Sequence, residues 1–319
     1  MGHKRAEALG DHQLLACADV DPERARQLAS KYAGATSTGD PRRVIDDPQV
    51  EAVIVATPHD SLAANALAAL EAGKHVLVEK PAARSPAELA PLLEAATRTG
   101  VIAKVGFNHR FHPAFQRAHQ MFAAGGIGEL MYVRGRYGHG GRPGYEREWR
   151  ADPQLSGGGE LLDQGSHLID LARWFAGDVS EVSGQVGTFF WPMQVEDNAF
   201  VCLNMAGGTI AWLHASWTEW KNLFSFEIFG RVGKLQIDGL GGSYGPERLT
   251  YYRMLPEMGP PETTSWEFVG ADRSWRDEFD HFAECVRLGL QPSGSLHDGL
   301  ANLEVVHTLY QRSGRDHHA

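Results

Sequence analysis

The rhythm of apolar and polar positions along this chain changes once, near residue 106. Before that point, short apolar runs alternate with amphipathic stretches of helical period. Leu14–Asp19 predicts a strand, Pro22–Tyr32 a helix with proline in its first turn, and Ala52–Ala56 a second, β-branched strand. Ser61–Ala72 predicts a helix, His75–Val78 a strand, and Val101–Gly106 another strand. Between these last two, Ser85-Pro86-Ala87-Glu88 is a capping box that opens a helix ending near Gly100. Strand–helix alternation with short connections implies a parallel sheet covered on both faces, a doubly wound α/β fold.

From residue 107 onward the period is two. Glu129–Tyr137, Val182–Phe190, Asn198–Met205, Thr209–Trp217, Phe224–Gly230 and Lys234–Ile237 read as strands with glycine-rich connections, hence an antiparallel sheet. Gly157-Gly158-Gly159 precedes a helix through Phe175, and Trp275–Arg287 and Asp298–Tyr310 read as closing helices. The His-rich end, Arg315–Ala319, reads as frayed. The expected organisation is therefore two domains, residues 1–106 and 107–319, within a chain long enough to bury a large core.

Composition narrows the partners. A formal net charge of −10 with no Lys/Arg cluster argues against nucleic acid, whose binding depends on neutralising phosphates. No apolar run reaches the length of a bilayer span, and the N-terminus lacks a signal-peptide layout. Cys17, Cys202 and Cys285 are odd in number and far apart, as in a reducing, cytoplasmic setting. All eight tryptophans lie from Trp149 onward, which fits aromatic packing of the second sheet better than a set of ring-stacking platforms.

The opening residues carry the first chemical signal. Met1-Gly2-His3-Lys4-Arg5-Ala6 reads as the last glycine of a dinucleotide-binding turn running into its helix, with the first strand and two earlier glycines absent. A sheet without its central strand leaves interior backbone groups unpaired, at about 1–3 kcal/mol each. A start assigned too far downstream accounts for this better than a trimmed or degenerate chain, since Gly-x-Gly-x-Met-Gly would place a methionine at position 1. Asp19 ends the strand after the first helix, where an acid hydrogen-bonds the adenosine ribose and repels a 2′-phosphate; this favours NAD, although Arg24 or Arg26 could reach the phosphate of NADP. The other reading of Asp19 is the start of the turn Asp19-Val20-Asp21-Pro22. Thr57-Pro58 lies just past a strand's carboxyl end, as a ligand contact or as a helix-leading turn.

Two further segments suit redox work on an alcohol. In Glu79-Lys80-Pro81 a lysine ends a strand at the cofactor edge, before a proline that can adopt the cis form. Asp163, His167 and Asp170 stand at i, i+4 and i+7, on one helical face. Converting an alcohol to a ketone removes a hydroxyl proton as hydride leaves carbon. A histidine tuned by a carboxylate suits the proton, and an ammonium polarises the oxygen. A divalent metal on Asp163, His167 and Asp170 is the sharper rival, but no second His or Cys has supporting spacing. Arg142 and Arg150 could meet an anionic substrate group or pair with Glu146, Glu148 or Asp152.

Together these segments resemble the Gfo/Idh/MocA family, that of glucose–fructose oxidoreductase and inositol dehydrogenase. Ala72–Pro81 is similar to its Glu-Lys-Pro signature, Gly157–Asp170 to its Gly-Gly-Gly…Asp-x-x-x-His helix, and Phe107-Asn108-His109-Arg110-Phe111 to its domain junction. The resemblance implies a Rossmann-type doubly wound sheet, here lacking its first strand, plus an α+β domain with an open antiparallel sheet that often mediates a homo-oligomer, dimer or tetramer. It implies NAD(P)-dependent hydride transfer between a secondary alcohol and a ketone on a sugar, nucleotide sugar or cyclitol. By the same resemblance Lys80 contacts the reacting hydroxyl, His167 exchanges its proton, and Asp163 orients both. Gly2, Asp19, Thr57, Pro58, Glu79 and Lys80 would hold NAD, with NADP as the variant cofactor; no metal is expected. The alternative is a non-catalytic NAD(P)-binding regulator or pseudoenzyme of the same fold, against which the intact Lys80, Asp163 and His167 argue.

Overall fold

A computed structural model describes residues 1–315. The expected fraying of the last residues falls on 316–319, outside the described residues; Arg315 itself donates its amide to the Tyr310 carbonyl at 2.9 Å. The chain forms two compact units: Met1–Gly106 with Trp275–Leu300, and Phe107–Ser274 with the chain from Ala301 onward.

The first unit is α/β. Helix α1 (Gly2–Glu7) leads to β1 (Ala16–Ala18), α2 (Pro22–Ala29), β2 (Thr36–Thr38), α3 (Pro41–Ile45), β3 (Ala52–Val55), α4 (His59–Glu71), β4 (His75–Glu79), α5 (Pro86–Thr99) and β5 (Ala103–Gly106). All its strand pairs are parallel, in two groups, β1–β2 and β3–β4–β5. Among the described residues no ladder joins β1 to β3, which matches a doubly wound sheet without its central strand. Strand β2 and helix α3 escape the hydrophobic pattern because Thr36-Ser37-Thr38 is polar and α3 is barely one turn. Capping follows the residues: Asp21 and Asp40 accept from the amides two positions on, and Ser85 accepts from Glu88 N.

The helix Ser274–Leu288 supplies much of this unit's core, its Phe279, Phe282 and Cys285 clustering with Ala8, Leu9, Leu77 and Ile102. Its amphipathic pattern predicts a helix but carries no sign that the chain returns to the first unit. Capturing three large apolar side chains in one cluster is the physical gain of that return.

The second unit is built on an eight-stranded sheet. Helix α6 (Pro113–Ala123) precedes β6 (Leu130–Gly138); the short α7 (Pro153–Ser156) and α8 (Ser166–Ala176) follow, then β7 (Val179–Gly187), β8 (Asn198–Met205), β9 (Ile210–Ser216), β10 (Leu223–Gly230), β11 (Gly233–Asp238), β12 (Glu247–Arg253) and β13 (Glu262–Phe268). The strand order is β13-β12-β11-β10-β6-β9-β8-β7. Every pair is antiparallel except β6–β9, which is parallel, so the antiparallel expectation is corrected to a mixed sheet. The long connection through α8 returns the chain, so that the meander β7–β8–β9 meets β6 with its last strand running the same way. Strands β12 and β13 are additions that the pattern misses, since β13 is a largely exposed edge.

Alternation along these strands sets two faces. Val133, Leu213, Phe226, Ile228 and Leu235 point inward and are buried, and α8 packs on that face with Leu168, Leu171 and Ala172. Tyr132, Phe200, Ile210 and Trp212 point outward and stay exposed. Among the described residues no helix is long and apolar enough to cross a membrane, and the three cysteines are free thiols.

Candidate active site

In the first unit Asp19, Thr57, Pro58, Glu79 and Lys80 fall at carboxyl ends of parallel strands, where open α/β sheets bind ligands. Gly2 opens α1, and a Cβ built there would meet nothing within 4 Å. Asp19, half-exposed, follows β1, and its Oδ1 accepts from Asp21 N at 2.9 Å, realising the turn reading. Thr57 and Pro58 are exposed between β3 and α4, with Pro58 as the helix N-cap. Arg24 and Arg26 sit in exposed pairs with Asp21 and Glu23 on α2. An accessible carboxylate after β1, with exposed Thr57 and Pro58 after β3, fits a dinucleotide.

Lys80 is half-buried on the turn after β4, its bond to Pro81 is cis, and Ala82 N closes the turn on the Glu79 carbonyl at 2.8 Å. Glu79 is only 5% exposed, and its Oε1 accepts from Arg5 Nε at 2.5 Å. Arg5 also reaches Glu278 Oε2 at 2.6 Å, and Glu278 Oε1 lies 3.3 Å from Lys104 Nζ. Burial lowers the Arg5 pKa, but Glu79 and Glu278 outweigh it and hold the guanidinium charged. The Glu79 carboxylate is thus committed to a buried quartet of two cations and two anions. Sequence reading missed Arg5, Lys104 and Glu278, whose partners lie 74 and 273 positions from Arg5.

In the second unit a glycine loop feeds the helix that carries Asp163 and His167. Gly157 has φ +80°, a Cβ on Gly158 would lie 2.2 Å from Tyr310 Oη, and one on Gly159 would lie 2.1 Å from the Glu196 carbonyl. The loop needs glycine because Glu196 sits against it. Gly159 N and Leu161 N donate to Glu196 Oε1 at 3.1 and 3.0 Å, and Tyr310 Oη donates to the same oxygen at 2.7 Å. Burial pushes the Glu196 carboxyl up, partly offset by these donors.

Residues Leu161–Gly165 then form a π-helical turn before α8 begins at Ser166. Such turns occur often at functional sites. The even helical face expected for Asp163, His167 and Asp170 is therefore modified at its first residue. Asp163 is half-buried and accepts from Arg150 Nε at 3.1 Å. His167 is 6% exposed and lies flat on His109, ring centroids 3.7 Å apart. Asp170 is taken by Arg110, which donates Nε and Nη2 to its two oxygens at 2.9 and 2.6 Å. That bidentate pair removes Asp170 from any tuning or metal-binding role, a correction to the three-residue face.

Around Asp163 gather groups able to hydrogen-bond a polyol. Gln164 Nε2 donates to Tyr244 Oη at 3.0 Å. Burial holds the Tyr137 phenol well above its usual range, with Tyr244, Asp163 and Glu160 adding to the effect. Tyr244 is pushed up to about 12, again mainly by burial. Both phenols are neutral donors at any working pH. His139 is lowered by burial, with Asp163 opposing, so its ring is uncharged near neutrality. Of the two loop arginines, Arg142 pairs with Glu148 at 2.6 Å, one of the expected alternatives, while Arg150 pairs with Asp163 instead. Glu196, Tyr137 and Tyr244 carry no motif that sequence reading could have caught.

Comparison with known proteins completes the description. Residues 1–107 match the profile described as oxidoreductase family, NAD-binding Rossmann fold, and residues 115–236 match the GFO/IDH/MocA C-terminal domain. The scyllo-inositol 2-dehydrogenase (NAD(+)) of Bacillus subtilis strain 168 is 30% identical over 303 residues, 92% of this chain and 84% of that protein. The levoglucosan dehydrogenase of Pseudarthrobacter phenanthrenivorans is 30% identical over 245 residues; the match takes in 68% of this chain but only 63% of that relative's length. A solved levoglucosan dehydrogenase in complex with NADH superposes with a TM-score of 0.85 at 25% identity, covering 98% of this chain and 94% of that one. The chain belongs to the Gfo/Idh/MocA oxidoreductase family, and its first unit is the family's NAD-binding Rossmann unit.

Proposed function

We propose that this Gfo/Idh/MocA oxidoreductase is an NAD(P)-dependent dehydrogenase that interconverts a secondary alcohol and a ketone on a sugar, nucleotide sugar or cyclitol. The observation that carries the reading is the helix bearing Asp163 and His167. It joins a buried imidazole to a half-exposed carboxylate, amid neutral phenol and amide donors suited to hydroxyl groups. The relatives named above are an inositol and a levoglucosan dehydrogenase, and the solved one holds NADH. NAD is the preferred cofactor, because Asp19 presents a carboxylate where a 2′-phosphate would sit.

The bound nicotinamide supplies hydride transfer. The chain's residues manage the oxygen: Lys80 contacts the reacting hydroxyl and favours its ionised form, His167 takes the proton, and Asp163 orients substrate and imidazole, with Arg150 holding its carboxylate. Gly2, Asp19, Thr57 and Pro58 line the dinucleotide, and Glu79, through Arg5, fixes the strand end from which Lys80 projects.

The protein works in the cytoplasm as a homo-oligomer, a dimer or tetramer, through the open sheet face bearing Tyr132, Phe200, Ile210 and Trp212. The free thiols support that compartment.

The test is the full chain with NAD and with NADP against a panel of sugars and cyclitols, following the absorbance of the reduced nicotinamide. Turnover with at least one polyol is expected. Cofactor binding without turnover on any of them would favour the non-catalytic regulator.

A further inference from the structure

We propose that His109 is a positioning residue for His167: it fixes the plane of that imidazole and confines the pair to at most a single proton. The proposal rests on the dehydrogenase reading above. His109 lies in the 3-10 turn Asn108–Phe111, and its ring stacks on His167 at 3.7 Å between centroids with 21° between planes. Both residues are 6% exposed, so bulk water does not solvate a charge on either ring.

His109 is itself held in place. Its Nδ1 stands 3.2 Å from Asn108 Oδ1, while Asn108 Nδ2 donates to Ser274 Oγ at 2.9 Å. With the amide nitrogen spent on serine, the amide oxygen accepts, so Nδ1 of His109 carries the hydrogen. Tyr137, Phe224 and His112 close other sides of the ring, at 5.3, 5.9 and 5.5 Å between centroids. A ring so enclosed turns only if its neighbours move, and the flat contact hands that rigidity to His167.

The charges facing the pair are largely matched. Asp170 is bound by Arg110 and Asp163 by Arg150; Glu247 accepts from Ala114 N at 2.6 Å and lies 2.9 Å from His112 Nδ1, and Glu160 is buried near the neutral Tyr137 phenol. Two positive rings about 4 Å apart separate their protonation steps by roughly three pH units, even at an effective dielectric constant near 20. The pair therefore holds at most one proton across the neutral range, and His167 accepts the substrate's hydroxyl proton only while His109 is neutral.

Histidine-ring NMR on the full chain, assigned with His109→Phe and His167→Asn, reads the proton count directly. No more than one proton taken up by the pair between roughly pH 5 and 9 is expected, with His167 titrating as a simple single site in His109→Phe. Each ring gaining its own proton, with midpoints within one pH unit, overturns the coupling. In kinetics His109→Leu, similar in bulk but not planar, should lower kcat about 10- to 100-fold with KM little changed, and His109→Phe should restore most of it. Wild-type kcat in His109→Leu overturns the positioning role. A wild-type chain that titrates as a coupled pair yet oxidises no sugar or cyclitol supports the stack and counts against the dehydrogenase reading alone.

Discussion

Behind Lys80, in the first unit, Glu79 is held by charge: Arg5, Glu278 and Lys104 complete a buried set whose formal charges sum to zero. Behind Asp163 and His167, in the second, Glu196 is held by dipoles: two backbone amides and one phenol converge on Oε1, and among the described residues no cation faces it. Each arrangement anchors the element that presents a side chain proposed above to act on the substrate, but they fail differently. Removing one member of a closed ion set strands the others in a medium that cannot solvate them. A lone carboxylate can be neutralised in place with its acceptor geometry unchanged.

The comparison breaks most visibly if the side chains these anchors serve are not both needed. Lys80→Met and His167→Asn should each lower kcat/KM by roughly 10²–10⁴-fold, the range for losing a positioned acid–base group. Binding of the reduced cofactor, followed by its fluorescence, should survive in both. If Lys80→Met keeps near-normal turnover, the first unit serves the cofactor alone.

Stability separates the anchors next. Arg5→Met leaves Glu79 and Glu278 with one cation between them and should cost about 3–5 kcal/mol, as for a broken buried pair. Hydrogen exchange should show the loss at the amides of β4 and β5. Gly159→Ala drives a Cβ into the Glu196 carbonyl and should cost about 1–3 kcal/mol, seen instead at the amides of β8 and the start of α8. Equal losses in both regions for either variant would mean that the anchors are not local devices.

These differences also decide what the sequence could reveal. Lys80, Asp163 and His167 are legible because each sits in a short, contiguous motif whose secondary structure follows from periodicity. Their supports are not, because Arg5 and Glu278 are 273 positions apart and Glu196 is remote from the loop it organises. Asp170 misleads for the same reason: its place on the helix is visible, its partner Arg110 is not. The π-turn at Leu161–Gly165 and the parallel β6–β9 pair depend on how a long connection closes, which local pattern does not encode. In the first unit alternation gave the parallel sheet, while the helix Ser274–Leu288 joined it through contacts far along the chain.

The mildest substitution gives the finest discrimination. Folding raises the Glu196 pKa, burial being the chief cause, so the native state binds its proton more tightly than the unfolded chain does. Stability contributed by this group is therefore full below the unfolded carboxylate pKa. It declines as pH rises toward the higher folded value and is flat beyond it. Glu196→Gln keeps an oxygen where Gly159 N, Leu161 N and Tyr310 Oη donate, and removes the charge. Its amide nitrogen would replace Oε2, which has no partner, so a buried donor is left unsatisfied in exchange for a buried anion. These terms oppose, and the net change near neutral pH should stay within about 1 kcal/mol. The sign appears in the slope: subtracting the variant's melting temperature from that of the wild type, from acid to neutral pH, should give a difference that moves steadily against the wild type. A level difference would mean that Glu196 titrates in the fold as it does in the unfolded chain, so that burial and its three donors cancel. An opposite slope would require a cation against it and erase the contrast with the charged quartet of the first unit.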